Sequence, residues 1–163
     1  MNVIVTGEIQ KGKSTAVRRA LERLKRPDCG FLTRFDRDRR ELDRRLLLLT
    51  PQGGELGTLV SFEGGRPRVH LETFETLGVD CLSGGAFAVM DELGKFERDT
   101  VLFRQAVEDV FSSHCDVLAV VRYRAEGWVE RLKSRPDVTL ITLTEENRDS
   151  VPEEIVRLFT ERN

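Results

Sequence analysis

An α/β fold with a mostly parallel central sheet between two layers of helices is predicted by three features of this 163-residue chain. Short apolar, β-branched runs alternate with segments whose apolar residues recur at helical spacing, the pattern of strands buried on both faces and of the helices that cover them. The first such run, Val3-Ile4-Val5-Thr6, leads directly into a glycine-bounded loop. Behind the loop, Val17, Ala20, Leu21 and Leu24 share one face of a helix predicted from Ser14 to about Lys25. The length suits one domain, 1–163, with a core of its own.

That loop reads Gly7-Glu8-Ile9-Gln10-Lys11-Gly12-Lys13-Ser14 and fills every fixed position of the Walker A pattern, G-x-x-x-x-G-K-[ST]. The ligand it names is a nucleoside triphosphate. Gly7 and Gly12 give the backbone conformations that a side chain would forbid, so that successive N–H groups point at phosphate oxygens. The helix N-terminus adds partial positive charge. Lys13 is expected to place a compact cation against the β and γ phosphates and so to act in catalysis, and the Ser14 hydroxyl to ligate Mg²⁺. With Thr15, the stretch from Gly7 onward is the predicted nucleotide cradle. The plainer alternative is a glycine turn capped by Ser14, which the strand in front and the exact spacing disfavour.

The remaining elements follow in order. Gly30 to Phe35 and Leu46 to Leu49 read as two strands joined by the charged turn Asp36-Arg37-Asp38-Arg39-Arg40, whose mixed charges suit a solvated tip. Gly53-Gly54, Gly57 and Gly64-Gly65 punctuate a second hairpin, with Thr58 to Phe62 as a short edge strand. Leu71 to Leu82 suits a short helix. The alternation is then regular: a buried strand over Ala86 to Met90, a helix over Asp99 to Ser112 with Phe103, Ala106, Val107, Val110 and Phe111 on one face, and a strand over Val117 to Val121. A short helix holds Trp128, Val129 and Leu132, and a strand covers Val138 to Leu143. The last helix, from about Val151 to Glu161, opens with Pro152 and with Ser150 and Glu153 at capping-box spacing.

Composition narrows the function classes. Net charge is −2, and although the 26 basic residues are 21 Arg and 5 Lys, acidic residues are interspersed throughout, so nucleic acid is not indicated as a partner. Three cysteines without C-x-x-C spacing and two distant histidines indicate neither a disulfide framework nor a zinc site. No apolar run approaches the roughly 20 residues of a membrane span. A cytoplasmic enzyme is the expectation.

Asp91-Glu92 directly follows the run Ala86 to Met90, which puts two carboxylates at the C-terminal end of a buried strand, the edge where open α/β sheets bind ligands. Asp91 is placed to hold Mg²⁺ and Glu92 to take a proton from the water that attacks the γ-phosphate. Alone, such a pair reads as an ordinary helix entry. A Walker A motif in the same chain reverses that balance.

Asp91-Glu92-Leu93-Gly94-Lys95-Phe96-Glu97 resembles the Asp-Glu-Ile-Gly-Lys-Met-Glu signature of the small cancer-related nucleoside-triphosphatase family. Gly30-Phe31-Leu32-Thr33 is similar to its Gly-Phe-Tyr-Thr segment, and the stretch from Arg135-Pro136-Asp137-Val138 to Thr144-Glu145-Glu146-Asn147-Arg148 to its C-terminal part. The resemblance spans essentially the whole chain. It implies a three-layer P-loop NTPase fold of the additional-strand, catalytic-glutamate type with an added antiparallel hairpin region, and slow hydrolysis of ATP, GTP and other nucleoside triphosphates to the diphosphate. It also carries the phosphate, Mg²⁺ and water roles onto Lys13, Ser14, Asp91 and Glu92. Asn147 and Arg148 follow the last strand, where they either contact base or ribose or form a helix-entry turn.

The chain departs from the family pattern at Gln10, where a glycine is usual, and at Glu8, which brings a carboxylate near the phosphates; both predict weaker nucleotide binding. Val120 stands where a polar residue is common, but Arg122 and Arg124 keep the basic charge after it, either as an arginine finger or as exposed strand-end arginines. A phosphotransferase using the same cradle, or a nucleotide-gated binding module with little turnover, are the competing functions. No Arg-rich lid follows the Asp99 to Ser112 helix, which favours the hydrolase.

Overall fold

A computed structural model of the chain describes residues 1–8 and 10–162. Eight strands form one sheet: β1 (Asn2–Thr6), β2 (Cys29–Phe35), β3 (Arg44–Leu49), β4 (Glu55–Glu63), β5 (Arg66–Val69), β6 (Phe87–Leu93), β7 (Asp116–Val121) and β8 (Val138–Thr142). Their spatial order is β5-β4-β3-β2-β6-β7-β1-β8. Pairs β2/β6, β6/β7, β7/β1 and β1/β8 are parallel, whereas β2/β3, β3/β4 and β4/β5 are antiparallel. The mostly parallel sheet with an added antiparallel region is thus the observed architecture. Because the five parallel strands run the same way, the ends of β1, β6, β7 and β8 meet at one edge.

Helices cover both faces. On one lie α1 (Gln10–Arg23) and α6 (Val151–Thr160), packed on Val3, Val5, Val89, Leu118 and Val120. Against the other pack α2 (Leu71–Thr73), α3 (Val79–Cys81), the π-helical turn Phe74–Gly78 between them, α4 (Val101–Phe111) and α5 (Gly127–Leu132). Phe103 is the hub of this second layer, its ring centroid 5.3 Å from Phe74, 5.7 Å from Phe31 and 6.4 Å from Trp128. Such offset and edge-on pairs add to the area each ring buries. Four of the five apolar positions predicted on α4 are buried, and Ala106 is partly so.

The structure corrects several boundaries. Helix α1 begins at Gln10, not Ser14: the helix carries through Gly12, and a lone glycine costs only about 1 kcal/mol. Strand β4 is nine residues long and internal, because Gly64-Gly65 turns the chain back so that β5 forms the edge, with Val60 paired to Val69. Strand β6 continues to Leu93, whose fully buried side chain holds the strand in the core beyond the two carboxylates. The capping box at α6 is not formed. Ser150 Oγ instead donates to the Asn147 carbonyl (2.9 Å), and Glu153 pairs with Arg23 of α1.

Candidate active site

The loop after β1 is shaped by Gly7. Its φ of +148° is open mainly to glycine, and a Cβ there would lie 2.5 Å from the Leu143 carbonyl oxygen. Gly12, Lys13, Ser14 and Thr15 lie within the first turns of α1, near the positive end of its dipole. Glu8 is exposed. Ile9 and the side chains of Gln10 and Lys11, expected in the cradle, lie outside the described residues.

Four predicted residues come together at the sheet edge. Lys13 is 4% exposed, and its Nζ stands 3.8 Å from Glu92 Oε2. Ser14 Oγ donates to Asp91 Oδ1 over 3.1 Å. Asp91 is flanked by Leu32 of β2 and Val120 of β7, so the sheet fixes it on both sides. Between Asp91 and Leu93 the β6/β7 register slips, a local irregularity of the kind that re-aims a side chain. The Asp91–Glu92 peptide is cis, and the Glu92 N–H donates to Thr33 Oγ1 (3.2 Å) on β2.

The electrostatics follow from burial. Burial lowers the Lys13 pKa; the Glu92 charge opposes this, while Arg122 and Lys133 reinforce it. Burial pushes Asp91 up to about 6, against the Ser14 hydrogen bond that stabilises its carboxylate. A half-buried carboxylate facing a hydroxyl is a hard-oxygen donor pair that a divalent cation would stabilise, and it fits Mg²⁺ by chemistry. Beside it, a cavity of about 190 Å³ lies between the β2/β3 hairpin and the turn after β6, lined by Ser14, Thr33, Asp91, Glu92, Glu97 and Arg122, among others.

Glu97 is 5% exposed and its Oε2 accepts the Gly94 N–H (3.1 Å). Its carbonyl accepts Trp128 Nε1 (3.0 Å) and Thr100 Oγ1 (2.6 Å), so the 94–97 turn is tied to α5 and to the start of α4. Burial raises the Glu97 carboxyl to about 7.

Asn147 and Arg148 part company. The Asn147 amide donates to Thr142 O (2.9 Å) and its Oδ1 accepts the Thr144 N–H (2.7 Å), so this side chain builds the turn. Arg148 lines a second cavity, of about 300 Å³, with Gly12, Thr15, Arg19, Asp149 and Pro152. Residue spacing gave no sign of Thr33, Glu97, Arg19 or Lys133 at these sites. The available signals were Thr33 closing the Gly30–Thr33 segment, Glu97 closing the Asp91–Glu97 segment, and the i,i+3 pair Glu130–Lys133.

Residues 2–156 match the model of a protein family described as NTPase. The nucleoside-triphosphatase THEP1 of Thermotoga petrophila is 33% identical, covering 96% of this chain and 91% of that protein. Its counterpart from Thermotoga maritima is 32% identical over 98% of this chain and 95% of its own length. Among solved structures, a human cancer-related nucleoside triphosphatase superposes with a TM-score of 0.79 at 27% identity, over 99% of this chain and 98% of that one. THEP1 from Aquifex aeolicus gives 0.76 at 27% identity, over 98% and 99%.

Proposed function

The chain belongs to the NTPase family, and on that premise we propose that it is a Mg²⁺-dependent nucleoside-triphosphate phosphohydrolase, cleaving the γ-phosphate of ATP, GTP and other triphosphates to give the diphosphate and phosphate. The observation that carries this reading is the convergence of Lys13, Ser14, Asp91 and Glu92 at one sheet edge. Lys13 neutralises the β and γ phosphates, and its buried ammonium acts in a site of low dielectric, where each charge counts for more. The triphosphate lies along Gly7 to Thr15, with its nucleoside toward Arg148 and the cavity it lines. Ser14 and Asp91 are the residues that would hold Mg²⁺, which when bound supplies charge neutralisation at the phosphate oxygens. Glu92, its backbone held by Thr33, takes a proton from the attacking water.

We take 1–163 as one catalytic domain working in the cytoplasm, a placement that the free Cys29, Cys81 and Cys115 support. No helix of the described residues is long and apolar enough to cross a membrane. A second reading, phosphoryl transfer to a small acceptor, is favoured by the size of the cavity beside Glu92, far larger than the roughly 15 Å³ one water needs.

Incubating the purified protein with Mg²⁺ and each nucleoside triphosphate, with and without hydroxyl-bearing acceptors, separates the readings. Acceptor-independent phosphate release supports the hydrolase, label on the acceptor supports the transferase, and thermal stabilisation by nucleotide without turnover leaves a binding module.

A further inference from the structure

Arg122, the residue after β7, has a fixed backbone and a guanidinium that lines the candidate site. Its N–H donates to the Leu93 carbonyl (2.9 Å), and its own carbonyl accepts Lys133 Nζ (2.9 Å). Lys133, whose side chain is 10% exposed, is anchored in turn by Glu130 Oε2 at 2.7 Å. The chain is therefore pinned on both sides of the residue, from β6 and from the end of α5. Arg122 also lines the 190 Å³ cavity with Ser14, Asp91 and Glu92. A Cβ built on Gly94 would lie 3.5 Å from Arg122 Cβ and 3.8 Å from Glu92 Oε1, so Arg122 rises beside the carboxylate of the attacking-water site. Among the described residues, no hydrogen-bond or ion-pair partner engages its guanidinium.

Its charge and that of Lys133 both reach Lys13. Lys13 already faces Glu92 and Lys133 already pairs with Glu130, which leaves the Arg122 guanidinium as the cation of these three open to a polyanion. Arg124 differs: its φ is +55° and its guanidinium stacks 5.4 Å over the Tyr123 ring. Of the two arginines that the sequence offered, only Arg122 stands at the reacting end.

On the hydrolase reading, we propose that Arg122 is an arginine finger supplied by this same chain, with Lys133 as its positioning residue. In the step it serves, the water oxygen bonds to the γ-phosphorus as the bond to the β–γ bridging oxygen breaks. The electron pair leaves with the diphosphate, the water proton goes to Glu92, and Arg122 donates hydrogen bonds to the phosphate oxygens without exchanging a proton. Guanidinium geometry matters here, because it presents a planar fork to phosphate that an ammonium lacks.

The test is steady-state phosphate release with Mg²⁺ and ATP, read beside nucleotide affinity and melting temperature. Arg122→Ala should lose about 1,000-fold or more in kcat with nucleotide affinity within a few fold, and millimolar guanidinium chloride should restore part of the rate. Arg122→Lys, which keeps charge and fold, should remain strongly impaired, and Arg124→Ala should match the wild type. Lys133→Met should lower kcat while leaving KM unchanged. Arg122→Ala turnover within a few fold of wild type, or full activity in Arg122→Lys, overturns the assignment. A wild-type protein that releases no phosphate from any triphosphate would instead remove the hydrolase reading on which it rests.

Discussion

The Lys13 ammonium and the Glu92 carboxylate face each other across 3.8 Å, with Lys13 almost wholly buried and Glu92 partly open. The cation proposed to bind phosphate is thus shared with the proposed general base. Mutual attraction holds both side chains at the place where the γ-phosphate and its attacking water would lie, so each is preorganised by the other.

Replacing Lys13 by alanine should therefore abolish turnover and weaken nucleotide binding together, since on the proposed reading the ammonium would contact phosphate in ground and transition states alike. The fold should persist, because β1 and α1 are anchored by Val3, Val5 and Val17 and not by the lysine. Phosphate release and nucleotide titration on a variant with an unchanged circular-dichroism spectrum check this. Wild-type rates would discard the phosphate role.

Glu92→Gln should behave differently. Glutamine keeps the size and can still hydrogen-bond to a water, but it cannot accept the proton, so the loss should fall on kcat by about 100 to 10,000-fold with affinity within a few fold. Unimpaired transfer to an added acceptor, with only hydrolysis lost, would favour the transferase reading.

Asp91→Asn replaces a carboxylate that Ser14 engages with a neutral amide, a poorer partner for a hydrated divalent cation. The Mg²⁺ concentration for half-maximal turnover should rise, and excess metal should recover part of the rate. An unshifted Mg²⁺ titration would take Asp91 out of the metal shell.

Much of this site was legible because its parts are local in sequence. The Walker A loop is eight contiguous residues, and Asp91-Glu92 terminates a readable apolar run, so strand order alone brings the two motifs to one edge. What stayed hidden depends on contacts between distant segments. Thr33 meets Glu92 only because β2 lies beside β6, a closeness that Gly30 permits, since a Cβ there would meet the Val89 carbonyl oxygen at 1.9 Å. The choice between Arg122 and Arg124 turns on a brace from Lys133, eleven residues away from Arg122. The start of α1 is equally hidden, because the helix runs back from Ser14 through Gly12, a residue type that marks the phosphate motif and gives no sign of helix.

The buried Glu97 gives a prediction about stability and pH. Its carboxyl rises from an ordinary 4.5 to about 7, because burial penalises the charged form more than the Gly94 N–H stabilises it. Below pH 4.5 the group is protonated in the folded and unfolded chain alike and contributes no pH dependence. Between 4.5 and 7 the unfolded chain releases the proton while the folded chain keeps it, so the folded state binds more protons and stability falls as pH rises. At about 1.4 kcal/mol per unit of pH, the loss approaches roughly 3 kcal/mol by neutrality and then levels off. Glu97→Gln has no proton to release, and its side-chain oxygen can still accept the Gly94 N–H. Urea unfolding of wild type and variant at pH 5 and pH 8 should therefore show the variant gaining on the wild type by on the order of 2–3 kcal/mol, the effect of Asp91 cancelling because both proteins retain it. A difference that stays constant across that interval would mean that Glu97 is ionised in the folded chain throughout.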